Sequence, residues 1–379
     1  MQLSDAGKSN LINLALIPLF MSVCLVPVQA QDSKNNEDDT STLFYPSLPE
    51  APRIQYLTSF SEAADVKEEK KKKSGWLSNF VLGEENPEDN EGIIKPYGVA
   101  LNNGQVHVVD TRGGGYAIFD VPEKDYHFTL GAGSAVMAKP VNIEIDNEGM
   151  KYVTDTGRGQ ILAFDSNDKF LRAYGKRGQI RPTDIVVDED RLYVVDIQSH
   201  KVKVLDKETG IELNSFGGAG TGENNFFQPT NIALGPDKHL YISDTGNFRV
   251  QKFTRDGEFV QSFGAGVGTA PGNFARPKGV AVDRMGHLYV VDAAFATVQI
   301  FSSDGELLLF FGEPASTHRG GLDLPADIDI DYDSVPYFQQ YADPDFKLEY
   351  IIAVANQFGR SRVNIFGFGR HEAMSYDDE

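Results

Sequence analysis

The chain has 379 residues, 41% hydrophobic and 24% charged, a globular composition with enough apolar content for one large all-β domain or two ordinary domains. A formal charge of −20 excludes a protein that grips nucleic-acid phosphates, since that needs cations to displace counterions; it suits cations, basic partners or glycans instead. The single cysteine, Cys24, excludes a disulfide framework and a thiolate metal cluster.

Residues 1–30 read as a secretory signal peptide. Lys8 supplies a thin positive start, Leu11 to Val28 the apolar stretch, and Val28 and Ala30 the small residues that a signal peptidase reads. This predicts an exported protein, periplasmic or extracellular, that begins at Gln31 and keeps no stable membrane span. Two alternatives stay open. The apolar stretch approaches the length of a span, which would make it a retained anchor. Cys24 also stands where a lipoprotein cysteine would, although Val23 is larger than the Gly or Ala usual before one.

Residues 31–50 are polar and acidic, with Asn35-Asn36-Glu37-Asp38-Asp39, and predict a disordered linker. Arg53 to Phe60 alternates like a strand and ends in Ser59-Phe60. Residues 61–92 belong to no repeat. Within them Trp76, Leu77, Phe80, Val81 and Leu82 fall at helical spacing beside a lysine run, predicting a short helix. That helix either plugs one end of the domain or presents Trp76 and Phe80 to a partner.

From Pro96 onward the chain repeats. A proline opens each unit at Pro96, Pro140, Pro182, Pro229, Pro277 and Pro325, roughly every 42 to 48 residues, the period of propeller blades. Second strands end at Asp110, Asp155, Asp196, Asp244 and Asp292, with Asn356 as a divergent sixth. Fourth strands run into Tyr174-Gly175, Phe216-Gly217, Phe263-Gly264 and Phe311-Gly312, with Leu130-Gly131 weaker. Only five fourth strands lie inside the repeats, and Arg53 to Phe60 resembles the sixth. The fold class is therefore all-β: a monomeric six-bladed β-propeller over 51–369, of four-stranded antiparallel blades, closed by an N-terminal strand in the last blade.

The units resemble the NHL repeat. Residues 276–292, RPKGVAVDRMGHLYVVD, keep its first half, and residues 244–253, DTGNFRVQKF, keep the later part. The resemblance spans about Pro96 to Phe368, and the opening PRIQYLTSF is similar to a group of bacterial exported six-bladed propellers with no defined activity. Eukaryotic NHL propellers can bind RNA on a basic face, a role the charge of this chain opposes.

Most polar repeats read as architecture. An Asp closing every second strand can hold a turn through backbone N–H groups, and a single active site needs only one or two such residues. His239 and His287 occupy equivalent turns, and no HxxxH, HExxH or GxSxG pattern places ligands or a nucleophile on one face. One constellation remains. The residue two after each opening proline is Gly98, Asn142, Asp184, Asn231, Gly279 and Asp327, a ring at the start of the innermost strands. Asn142, Asp184, Asn231 and Asp327 are hard oxygen ligands of the kind Ca²⁺ prefers. The resemblance implies a central Ca²⁺ at this place in related lactonases and lyases, although no full catalytic set of theirs is matched.

Residues 332–350 are an insertion into blade six, with Tyr332, Tyr337, Tyr341 and Phe346 as a candidate partner surface or as packing for the loop itself. Residues 370–379 predict a polar, frayed tail. Taken together, the expectation is an exported non-catalytic scaffold that binds a protein, peptide or glycan partner in the envelope or outside the cell. The alternative is a metal-dependent hydrolase or lyase with channel Ca²⁺.

Overall fold

The computed structural model describes residues 42–67, 92–268, 270–314 and 320–376. Six antiparallel meanders make up the fold, and the first strands of successive blades, last on first included, pack on one another around an axis. Second strands such as Leu288–Asp292 are buried along their whole length, as expected of strands covered on both faces. Fourth strands such as Phe259–Phe263 alternate, one face packed and the other wet. The seams between blades are filled by apolar side chains, with Tyr152, Tyr193, Tyr241 and Tyr289 fully buried at one equivalent position.

The glycines that end the fourth strands have a conformational reason. Gly131, Gly175, Gly217, Gly264 and Gly312 all take positive φ, between 73° and 107°. There the chain reverses from the outer edge toward the next inner strand, a backbone turn that only glycine makes without a Cβ clash.

Closure is as expected. Strand β2 (Ile54–Phe60) pairs with Val363–His371 and supplies the fourth strand of blade six. The linker differs from the expectation of disorder over 31–50. Phe44–Tyr45 forms a further strand, β1, pairing Phe44 with Gln55 and Tyr45 with Ile54, so the last blade has five strands. The reason is apolar: Phe44 is buried, its ring 5.4 Å from that of Phe346.

The blade-six insertion is shorter than 332–350. After a helical turn, α1 (Val335–Phe338), the second strand already starts at Phe346 and runs to Asn356. Its partner strand continues to His371, so Arg370 is not frayed. Beyond it, Tyr376 ties the chain down by donating to the Pro52 carbonyl at 2.7 Å. Among the described residues no helix is long and apolar enough to cross a membrane.

Candidate functional site in the channel

The second-strand aspartates clamp the chain where it enters each blade. Asp155 accepts the backbone N–H groups of Ala138 and Lys139 (2.7 and 2.9 Å) and those of Gly157 and Arg158 (both 2.9 Å). Asp110 does the same for Ile94, Lys95, Arg112 and Gly113, and Asp292 for Ala275, Arg276 and Ala294. Each carboxylate thus joins its own turn to the segment leading into the first strand of its own blade. These aspartates are architectural.

The ring of Asn142, Asp184, Asn231 and Asp327 is brought together as its spacing implied, and all four side chains are buried. Asn142 Nδ2 donates to Asp184 Oδ1 at 2.6 Å, and Asn231 Nδ2 donates to Asp327 Oδ1 at 3.0 Å. Asp184 also accepts from the Ile185 and Ile232 amides, and Asp327 from the Val99 amide and the Asn142 side chain. Asn142 Oδ1 accepts from Ile143 N. Gly98 and Gly279 make this possible: a Cβ on Gly98 would lie 2.0 Å from Asn142 Oδ1, and one on Gly279 2.5 Å from Asp327 Cα.

This arrangement fits a bound Ca²⁺ poorly. The ion needs six or more oxygens free to face it. Here the carboxylate oxygens are taken up by backbone and amide donors, and the two asparagine NH₂ groups point at carboxylates. Asn231 Oδ1 is a buried oxygen of the ring that has no partner.

Two residues further along the same strands lie two more carboxyl groups that the sequence reading did not place in the ring, Glu144 and Asp329. Both are partly buried. Asp329 accepts from the Leu101 and Ile330 amides at 2.7 and 2.8 Å. Burial pushes both Asp327 and Asp329 up to about 7, and raises Asp184 and Glu144 well above the carboxylate range, with the charges of Asp327 and Asp329 adding to the respective effects. The signal in the sequence was their position, two residues after Asn142 and Asp327 on strands that alternate.

The aromatic candidates divide. Trp76 and Phe80 lie outside the described residues. Phe346 is buried and belongs to the core, because it covers Phe44; it offers a partner nothing. Tyr332 is half-buried, lies under the Arg284 guanidinium at 3.9 Å and accepts from the Arg284 amide. Tyr337 packs over Gly104, leaving Tyr341 as the exposed member.

Two polar groups were not foreseen. Lys151 stands where the other blades have leucine, valine or isoleucine, and its ammonium meets Asp168 at 2.7 Å inside the seam of blades one and two, beside Tyr116 and His127. At the rim, Asp343, Asp345 and His371 bring three possible ligand atoms within 4.8 Å of one another. Neither was legible, because each joins residues distant in the chain.

Residues 226–253 match the family model of the NHL repeat. No curated protein matches the chain. Among solved structures it is similar to a gluconolactonase from Xanthomonas campestris, at 18% identity and a TM-score of 0.53, over 73% of this chain and 86% of that one. It is also similar to an auxiliary nutrient binding protein from Bacteroides thetaiotaomicron, at 13% identity and a TM-score of 0.55, over 74% and 71%. At such identities the likeness is one of fold.

Proposed function

We propose that this chain, an NHL-repeat propeller of six blades, is an exported, non-catalytic scaffold that docks a protein partner in the cell envelope or outside the cell. The observation that carries the reading is the ring at the channel waist, whose side-chain oxygens, Asn231 Oδ1 excepted, are already partnered. Its side chains spend most of their hydrogen-bonding capacity on one another and on backbone amides, which ties blades one, two, three, four and six together and leaves little for a metal or a reacting group. The sequence of residues 1–30, which reads as a signal peptide, supports export.

Thermal denaturation across a calcium titration tests the reading against the metal-dependent hydrolase or lyase. The expected result is no calcium dependence. A stabilisation of about 2.7 kcal/mol at a hundredfold excess over the dissociation constant, lost in Asp184→Asn, would move the protein to the metal-dependent class.

A further inference from the structure

The propeller is charged differently on its two faces, although its net charge is strongly negative. The strand register puts the segments between blades and the turns between second and third strands on one face: Pro140 pairs with Asp155, and Asp155 with Gln160. At the residue before the opening proline, four blades carry a cation: Lys95, Lys139, Arg181 and Arg276. In each, the backbone N–H is held by the second-strand aspartate of its own blade, at 2.9 to 3.1 Å. The four residues therefore hold equivalent backbone positions around one mouth of the channel. None pairs with a described carboxylate. Just inside them Lys278 donates to the Tyr97 hydroxyl at 3.1 Å.

Exposed apolar side chains share this face. Ile94, Val136, Phe227, Val267 and Phe358 are each close to half exposed or more, and the Lys95 ammonium lies 5.4 Å from the centre of the Phe358 ring. The opposite face, built from the other two sets of turns, carries Glu148, Glu189, Asp190, Glu208, Asp256 and Asp304, and its cations Lys207, Lys238 and Arg255 are paired with Asp146 and Asp188.

We infer that the interblade face is the docking surface and that its occupant is an acidic polypeptide segment with interspersed apolar side chains. The inference rests on the scaffold reading above and names the face and the chemistry. Four cations around one mouth match a short run of carboxylates. The apolar side chains between them match a polypeptide that interleaves carboxylates with apolar residues rather than a bare polyanion.

Fluorescence anisotropy with a short labelled peptide alternating glutamate and leucine tests this on the whole chain. Binding is expected, weakening as salt rises. Lys139→Glu with Arg181→Glu should cost about tenfold in affinity, and Lys139→Gln with Arg181→Gln should cost less. Lys169→Glu, on the acidic face, should leave binding unchanged. The inference is overturned by no binding, by equal loss in the Lys169→Glu variant, by equal binding of a lysine–leucine peptide, or by tighter binding of oligouridylate. A photo-crosslinker at Asn147, on the acidic face, separates the two readings. If it captures the native partner equally in wild type and in Lys139→Glu/Arg181→Glu, this inference falls and the scaffold reading stands.

Discussion

Asn231 reaches Asp327 across an entire blade. Its Nδ2 donates to Asp327 Oδ1 at 3.0 Å, although blade five lies between them. Gly279, the blade-five member of the same ring, leaves the space; a Cβ there would stand 2.5 Å from Asp327 Cα. Gly98 does the same between Asp327 and Asn142. The waist of the channel is thus closed by four side chains because two blades contribute none.

Gly279→Ala and Gly98→Ala should each destabilise the protein by about 1–3 kcal/mol, the range for forcing a methyl into a packed interior. Urea unfolding measures this. Wild-type stability in Gly279→Ala would show that the Asn231–Asp327 contact does not depend on the missing side chain.

Stability should fall as pH rises from about 4 to about 7. Burial raises the folded-state value of Asp327 and Asp329 to about 7, against about 4 in an unfolded chain. Below the unfolded value both states are protonated and the burial of charge costs nothing. Between the two values the unfolded chain has released protons that the folded ring retains. Stability therefore declines by about 1.4 kcal/mol per pH unit for each such proton and levels above the folded value. Melting curves of wild type and Asp327→Asn across this window check it, since the variant should have the flatter dependence whatever its absolute stability. Parallel curves would refute the assignment.

Asp155→Ala should cost about 3 kcal/mol, because it strands four backbone N–H groups that the carboxylate now satisfies. Asp155→Asn should cost less, keeping one acceptor oxygen. Calorimetric unfolding distinguishes the two, and equal melting temperatures for Asp155→Ala and wild type would remove the clamp role.

The N-terminal segment contributes twice to the last blade. Phe44→Ala should cost about 3 kcal/mol, the scale of an emptied phenylalanine site. Deleting 52–60 should cost far more, since it removes Ile54, Leu57 and Phe60 from the core and bares the edge of Val363–His371. Limited proteolysis and thermal melting report both. A deletion no worse than Phe44→Ala would contradict closure by β2.

Much of the fold could be read directly because a propeller repeats its local chemistry. Each opening proline, each closing aspartate and each Phe-Gly or Tyr-Gly end is set by the turn it makes, so six copies in register revealed blades, strand order and the need for a closing strand at 53–60. The ring of Asn142, Asp184, Asn231 and Asp327 was legible for the same reason, as one position counted from six prolines. Its chemistry was not. Whether an asparagine turns its oxygen toward a metal or its NH₂ toward a carboxylate depends on atoms one or two blades away. The pairing of Phe44 with Phe346, which orders part of a stretch read as linker, joins residues some three hundred positions apart. Burial of the channel carboxyls likewise comes from surrounding blades rather than neighbours in the chain. Local hydrogen bonding and backbone geometry are written residue by residue, whereas closure of the ring places side chains of different blades against one another, and only the tertiary structure decides which atoms meet.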